Sequence, residues 1–359
     1  MSEAVRDYSL DNLKWALTML VILHHTAALC GLDPFSYNLP DLGAKARLEY
    51  NLLGAFQGFN QGYFMSLFFF ISALFIPASL ERKGAATFMR DRLKRYGIPV
   101  ILTVMVILPI ADILAYMRSN SFEEIISGYF SYAIGNFAKL NPQLGVAWFL
   151  WTLLVFTGVY LLWAWFRGFD TVPKSQKPFP AFWKIFLFAC IMIPINFGAL
   201  SIEERFGENF LGFHHIKYFP MYIASFAFGI VAAQHRWIEK LSIKTVVPWT
   251  LLAILGYVWR DIGEMVTRPF TVIGMSIFLI YSFRQAYPSS NKITVMLTRS
   301  AYAAYLIQNI TITFVGVGLY YVMTDNPLAN FFIASVFTVP LSFLVGHYLR
   351  QLPGLRKIL

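Results

Sequence analysis

A lysine and a histidine, Lys14 and His25, lie eleven positions apart in the apolar stretch DNLKWALTMLVILHH. At about 100° per residue, eleven positions of an α-helix return to within roughly 20° of the starting direction. Both side chains therefore lie on one face, together with Asp11 and Thr18, whereas His24 points away over leucines. A neutral imidazole in an apolar environment can remove a proton from a hydroxyl group. His25 is a candidate general base.

The two side chains of this face are too far apart to touch. At a rise of roughly 1.5 Å per residue, Lys14 and His25 are separated by about 16 Å along the helix axis. We expect Lys14 near the cytoplasmic entrance of a site and His25 past the membrane midplane. A structural alternative is that Lys14 snorkels to the headgroups and His25 hydrogen-bonds a neighbouring helix.

Two arginines, Arg92 and Arg95, lie three positions apart in the stretch FMRDRLKRYGIP, which leads into an apolar run. An i,i+3 step sets two side chains on one α-helical face, and guanidinium groups bind phosphate oxygens bidentately. The pair is a candidate phosphate site at the membrane surface. Topology anchoring is the alternative interpretation, since basic residues are common in cytoplasmic loops.

The elements that position these residues are expected to be membrane-spanning helices. The chain is 57% hydrophobic and only 13% charged, unlike a soluble domain. A bilayer core of roughly 30 Å takes about 20 apolar residues per helix, and the chain supplies such runs about ten times. The predicted spans are 10–31, 60–80, 96–117, 144–166, 181–200, 217–234, 244–260, 268–285, 300–323 and 328–349. We therefore expect an all-α polytopic protein in which residues 1–359 form a single integral-membrane domain.

Charges in the loops give an independent indication of topology. The formal net charge is +10, and basic loops alternate with acidic ones along the chain. This alternation predicts an even number of spans with both termini in the cytoplasm. Because the basic residues do not follow one polar face, we expect no nucleic-acid partner. Cys30 and Cys190 lie at or inside spans, so we predict neither a disulfide nor a cysteine metal site.

Several motifs in order resemble the membrane-bound acyltransferase 3 family. LDNLK followed after ten residues by His25 resembles the family's LDxLR-x10-H signature, and MSLFFFISALFIP resembles its FFFISG segment. FMRDRLKRYGIP is similar to the Arg-x-x-Arg stretch before the third helix. AWFLWTLL resembles the WFL element of the fourth helix, AYAAYLIQ the SYxxYLxH of the ninth, and RQLPGLRKIL the basic end. The resemblance covers nearly the whole chain.

That resemblance implies an activity. Members have about ten helices and transfer an acyl group, of the acetyl or succinyl class, from cytoplasmic acyl-CoA to a hydroxyl of a carbohydrate or lipid-linked glycan. It implies that His25 is the catalytic base, that Lys14 takes the place of the usual arginine, and that Arg92 and Arg95 bind the donor. The expected partners are acyl-CoA, the glycan acceptor and membrane lipids. The expected location is the bacterial inner (plasma) membrane.

Departures from the family pattern refine this prediction. Lys14 keeps the positive charge of arginine but loses its bidentate fork. Gln308 stands where many members have histidine, and its amide can still hydrogen-bond. AWFLWTLL lacks the glutamate of the WSLxxE variant found in the O-antigen acetylase branch, and no hydrolase-like C-terminal domain is expected. The chain therefore looks closer to the branch that modifies glucans and exopolysaccharides.

Other polar and aromatic residues complete the predicted site. Gln308, Trp148 and Asn60 are candidate substrate-binding residues, although Trp148 fits an aromatic belt about as well. His214 and His215 lie in an acidic outer loop, but adjacent histidines without a spaced partner are weak evidence for a metal site. No metal is predicted, and a solvated loop is the favoured interpretation of this pair.

Two other functions are compatible with the sequence. A secondary transporter or lipid flippase also carries intramembrane ionisable residues, although no inverted repeat or pair of broken helices is visible in corresponding halves. A catalytically inactive acyltransferase-like binding subunit is the second alternative, since Lys14 and Gln308 both depart from the family pattern.

Overall fold

The computed structural model describes residues 7–32, 47–169 and 175–359, and they are almost entirely helical, with no strand in these ranges. Across the described residues the α-helices are α1 (Tyr8–Ala27), α2 (Arg47–Leu74), α3 (Ile76–Lys83), α4 (Ala85–Arg92), α5 (Ile98–Leu102), α6 (Leu108–Tyr116), α7 (Phe122–Ala138), α8 (Trp148–Phe166), α9 (Phe182–Phe206), α10 (Phe219–His235), α11 (Ile243–Val258), α12 (Glu264–Ala286), α13 (Lys292–Leu319) and α14 (Pro327–Leu349). The predicted all-α polytopic membrane fold is confirmed.

Each predicted span corresponds to a helical segment. In the part of the chain that the structure describes, nine segments are long and apolar enough to cross a membrane. The tenth, α11, has 16 residues, which gives a length of about 24 Å against a hydrocarbon core of roughly 30 Å. The seventh predicted span is therefore a short apolar helix.

The structure extends or interrupts several predicted elements. The second helix begins at Arg47, well before the predicted start at residue 60. The hydrophobicity of the sequence did not indicate its first turns, because they are more polar than the middle of the helix. The segment between the third and fourth predicted spans contains α7. A capping box starts this helix: the Ser121 hydroxyl accepts from the Glu124 amide, and the Glu124 carboxylate accepts from the Ser121 amide. Such reciprocal bonds satisfy two amide groups that a helix start leaves unpaired.

The chain forms two compact units. The first unit comprises Met1–Leu13, Gln61–Leu93 and Thr152–Ser290. Its interior includes Trp249 of α11, which is fully buried. α11 and α12 pack closely there because Gly274 lies against the Trp249 backbone. Small residues at helix contacts allow such approaches in membrane proteins.

The second unit comprises Lys14–Asn60, Lys94–Trp151 and Asn291–Leu359. Its antiparallel pair α13 and α14 is in close contact at Gly346, where an added Cβ would lie 2.8 Å from the Ala304 backbone nitrogen.

Hydroxyl pairs complete the packing of the second unit. Thr311 of α13 and Ser342 of α14 share a buried hydrogen bond of 2.6 Å, and Thr26 of α1 pairs with Thr338 of α14 at 3.1 Å. Polar side chains commonly join helices in this way inside a membrane. The C-terminal part of α1 is therefore fixed against α14.

Candidate active site in the second unit

Helix α1 carries Lys14 and His25 on one uninterrupted α-helical segment, so the axial separation of about 16 Å inferred from the sequence applies. Both side chains are partly buried. Thr18, on the predicted polar face, is buried and donates its hydroxyl to the Lys14 carbonyl at 3.0 Å. A π-helical turn, Ala28–Leu32, follows α1 directly. Such turns are frequent at functional sites.

The imidazoles of His24 and His25 are in edge-to-face contact. Their ring centroids are 5.4 Å apart and their planes meet at 80°. Gln57 of α2 donates its side-chain amide to the His24 carbonyl at 2.8 Å, which holds the backbone of α1 beside the candidate base. The two rings touch, although helical geometry places the residues about 100° apart around the helix axis.

Two predicted substrate-binding amides are buried with unsatisfied atoms. Asn60 lies one turn after Gln57 on α2 and is 2% exposed, and Gln308 of α13 is fully buried. Gln308 donates to the Tyr305 carbonyl at 3.0 Å. Among the described residues, the Asn60 Nδ2 and Gln308 Oε1 atoms have no hydrogen-bond partner. A buried polar atom without a partner costs about 1–3 kcal/mol, so each atom is a position where a polar ligand group would be stabilised.

The tyrosine Tyr305 links Gln308 to the start of α8. Its hydroxyl donates to the Val146 carbonyl, and its ring meets that of Phe149 edge to face at 6.2 Å. Trp148, a predicted substrate-binding residue, lies between these two positions and is partly exposed. The second unit therefore brings the segments that carry Trp148 and Gln308 together.

Four arginines form a cluster in the second unit: Arg95, Arg299, Arg350 and Arg356. Burial lowers the pKa of Arg350, and the neighbouring guanidinium groups of the other three lower it further. Within the described part of the chain, none of the four forms an ion pair or donates a side-chain hydrogen bond to a protein group. A concentration of like charge without carboxylates favours an anion at this position. We refer to these residues as the arginine cluster.

Packing of α13 against α14 assembles the arginine cluster. Arg299 precedes Ser300, whose carbonyl lies against Gly346, and Arg350 follows Gly346 by one helical turn. Arg95 is fixed to α13, since its carbonyl accepts from the Tyr302 hydroxyl and its guanidinium lies over the Tyr302 ring at 5.6 Å. The sequence analysis did not identify Arg299 and Arg350 as site residues, because their proximity depends on helix packing.

Arg92 and Arg95 have different surroundings. Arg92 ends α4 in the first unit, where its guanidinium lies over the Phe88 ring at 4.8 Å. The π-helical segment Leu93–Gly97 begins immediately after it and carries Arg95. The wider turn of a π-helix changes the direction of successive side chains. The i,i+3 argument for a common face therefore does not hold for this pair.

Sequence reasoning missed a buried arginine in the first unit. Arg268 of α12 has a side chain that is 1% exposed, and it forms a 2.5 Å ion pair with Glu264. It also donates to the Gln61 carbonyl at 2.7 Å and lies over the Tyr218 ring at 3.3 Å from its centroid. The spacing of four between glutamate and arginine was the available signal. These contacts make Arg268 a structural connection between α12 and α2.

Comparison with known families identifies one match. A family model described as an acyltransferase domain matches residues 7–347. Comparisons with curated proteins and with solved structures gave no match. The matched range includes every predicted site residue, as well as Arg299, and ends before Arg350.

Proposed function

The chain belongs to the acyltransferase-domain family, and from that premise we propose that this membrane acyltransferase is an acyl-CoA-dependent O-acyltransferase. Its donor carries an acyl group of the acetyl or succinyl class, and its acceptor is a hydroxyl of a carbohydrate or lipid-linked glycan. The proposal includes the glucan and exopolysaccharide branch, the bacterial inner membrane and cytoplasmic termini. What supports the branch is the motif pattern, and what supports the topology is the alternation of loop charge.

The arginine cluster carries this proposal. Coenzyme A has a pyrophosphate and a 3′-phosphate, and guanidinium forks match phosphate oxygens in geometry and charge. Arg95, Arg299, Arg350 and Arg356 have no carboxylate partner among the described residues. A bound polyanion would supply the missing negative charge. The donor's phosphates bind at this cluster, and its thioester extends towards His25.

The proposed reaction is a direct acyl transfer. His25 accepts the proton of the acceptor hydroxyl while the hydroxyl oxygen attacks the thioester carbonyl carbon. The carbon–sulfur bond then breaks, the new ester leaves, and the proton returns from His25 to the sulfur of coenzyme A. A positioned general base contributes typically about 10²–10⁴ in rate. The Asn60 Nδ2 group donates to an oxygen of the acceptor or to the developing oxyanion, and the Gln308 Oε1 atom accepts from a hydroxyl of the acceptor.

Purified protein tests the activity directly. We expect radiolabelled acyl-CoA to lose its acyl group to a glycan acceptor, or slowly to water, in the presence of the wild-type protein. His25→Ala should lower both rates by about 10²–10⁴. A transporter or flippase would move its substrate without cleaving the thioester, and an inactive binding subunit would bind acyl-CoA without cleavage. Intact thioester in a folded, donor-saturated wild-type sample would therefore refute the proposal.

The donor site is tested separately by arginine variants. Arg95→Ala and Arg350→Ala should each raise the KM for acyl-CoA by about tenfold or more, since a charge-assisted hydrogen bond contributes about 1.5–3 kcal/mol. The rate at saturation should change less, because phosphate contacts are similar in the ground and transition states. Arg260→Ala is the matched control, since Arg260 is exposed and its guanidinium lies over the Tyr257 ring and donates to the Tyr257 carbonyl.

Lys14→Arg examines the residue that departs from the family signature. We expect the variant to retain or exceed wild-type activity, because arginine restores the bidentate fork. Steady-state rates at several acyl-CoA concentrations measure this effect, and Lys14→Ala provides the comparison without charge.

A further inference from the structure

The segment between α9 and α10 brings three metal-ligating side chains together in the first unit. Glu208, His214 and His215 each offer a ligand atom, and these atoms all lie within 4.8 Å of one another. The sequence favoured a solvated loop for the two histidines because adjacent histidines without a spaced partner are weak evidence for a metal site. The structure differs at this position, since both imidazoles face the same carboxylate.

The backbone at His215 explains this convergence. His215 has φ 55° and ψ 67°, in the left-handed region, which non-glycine residues seldom adopt. The unusual conformation turns its ring towards that of His214, with centroids 3.9 Å apart. Its backbone amide donates to the Glu208 carbonyl at 3.0 Å, which closes the loop.

The distances suit a small tetrahedral ion. Glu208 Oε1 lies 2.9 Å from His215 Nδ1 and 3.7 Å from His214 Nδ1. Ligands bound to zinc at roughly 2.0–2.1 Å are separated by about 3.3 Å along a tetrahedral edge, which is between the two measured distances. Asn209 adds an amide oxygen 2.6 Å from His214 Nδ1. Small side-chain rotations would therefore complete the coordination.

We propose that Glu208, His214 and His215 bind a divalent transition-metal ion of the zinc class. Two imidazoles and one carboxylate suit such an ion, whereas magnesium and calcium require oxygen ligands. The three side chains are 48%, 33% and 24% exposed, so an ion can reach the site from solvent. Water, or the Asn209 amide oxygen, takes the fourth position. The bound ion connects the end of α9 to the start of α10.

Nearby charges also favour a cation at this position. The carboxylate of Glu203 lies close enough to Glu208 to add negative charge beside the site. Lys217 is also nearby, but it is paired with Glu203 at 3.2 Å, which limits its repulsion of an incoming ion.

Direct binding to the full-length protein tests the proposal. Detergent-purified protein, with its affinity tag removed and treated with a chelator, is titrated with Zn²⁺ against a chromophoric competitor, and with Mg²⁺ separately. We expect one equivalent of Zn²⁺ to bind and to raise the unfolding temperature, whereas Mg²⁺ should do neither. His215→Asn removes a ligand but suits the left-handed backbone, so the variant should fold. We expect its Zn²⁺ affinity, and that of Glu208→Gln, to fall by at least about 10–100-fold.

Two matched controls isolate the site. Glu204→Gln removes an exposed carboxylate from the end of α9, and His347→Ala removes a histidine from α14. Neither change should alter Zn²⁺ affinity or the metal-dependent rise in unfolding temperature. Equal binding by wild-type protein and a folded His214→Gln/His215→Asn double variant would overturn the proposal. Absence of one-equivalent binding by the wild-type protein would also overturn it, and the cluster would then be a hydrogen-bonded imidazole–carboxylate group only.

Discussion

Replacing Gly346 with alanine should separate the two helices that assemble the arginine cluster. The new Cβ would lie 2.8 Å from the Ala304 nitrogen and 3.1 Å from the Ser300 carbonyl oxygen. Ordinary contacts of this kind are about 3.4–4 Å, so α14 must move by several tenths of an ångström. These neighbours are backbone atoms and cannot rotate away. Overpacking of this kind costs about 1–3 kcal/mol.

A second glycine provides the matched control. Gly318 of α13 has no atom within 4 Å of an added Cβ, and Gly→Ala in a helix interior gains up to about 1 kcal/mol. We therefore expect Gly346→Ala to lower the thermal unfolding temperature in detergent and Gly318→Ala to keep or raise it. The KM for acyl-CoA should rise only in Gly346→Ala, because the shift moves Arg350 relative to Arg299.

Two results would refute this reasoning. If both variants had the same unfolding temperature, the contact between α13 and α14 would not be as close as the structure indicates. If Gly346→Ala lost stability but bound acyl-CoA normally, the arginine cluster would not depend on this contact.

Three further predictions concern the candidate base, the buried amides and the buried ion pair. His25→Ala and His25→Gln should each lower the transfer rate by about 10²–10⁴ without changing the unfolding temperature, whereas His24→Ala should keep most of the activity. Transfer rates of samples matched in amount and stability measure this difference. An inactive but folded His24→Ala protein would show that His25 is not the base. Asn60→Leu should raise the unfolding temperature, because a buried unsatisfied amide costs about 1–3 kcal/mol. The same variant should raise the KM for the acceptor. A stable variant with normal acceptor kinetics would contradict the binding role of Asn60. Glu264→Gln should destabilise the protein by about 1–3 kcal/mol, which is less than the loss of a fully buried ion pair would cost, because Glu264 is half exposed. Glu204→Gln is the control. Equal unfolding temperatures for the Glu264→Gln and Glu204→Gln variants would count against a stabilising ion pair.

The sequence predicted the membrane-spanning helices well, because a long apolar run is by itself sufficient to indicate such a helix. The seventh predicted span, 244–260, also corresponds to a helix, α11, of 16 residues. The helix α7 was missed, although Ser121 and Glu124 show the spacing of a capping box. The acidic residues of its first turn, Glu123 and Glu124, fit a charged loop as well as a helix start.

The candidate site was predictable only where its residues share one helix. Lys14 and His25 lie on α1, so helical geometry related them directly. Arg299 lies on α13 and Arg350 directly follows α14. Their proximity depends on the close contact between these two helices at Gly346. The hydrophobic periodicity of a single segment does not indicate such a contact between two helices. The buried state of Gln308 likewise depends on neighbouring helices, which a single sequence pattern does not specify.

The arginine cluster also affects the stability of the protein when no donor is bound. Four mutually repelling charges make the unliganded second unit electrostatically strained, so added salt should relieve the repulsion by screening it over about 8 Å at physiological ionic strength. The same screening weakens attraction for a phosphorylated donor. Salt should therefore stabilise the empty protein while reducing its affinity for acyl-CoA. Inorganic pyrophosphate should protect the empty protein at far lower concentrations than chloride, because it acts as a multivalent counter-ion. Under the proposed function, the donor's phosphates would therefore also balance the charge of the folded protein.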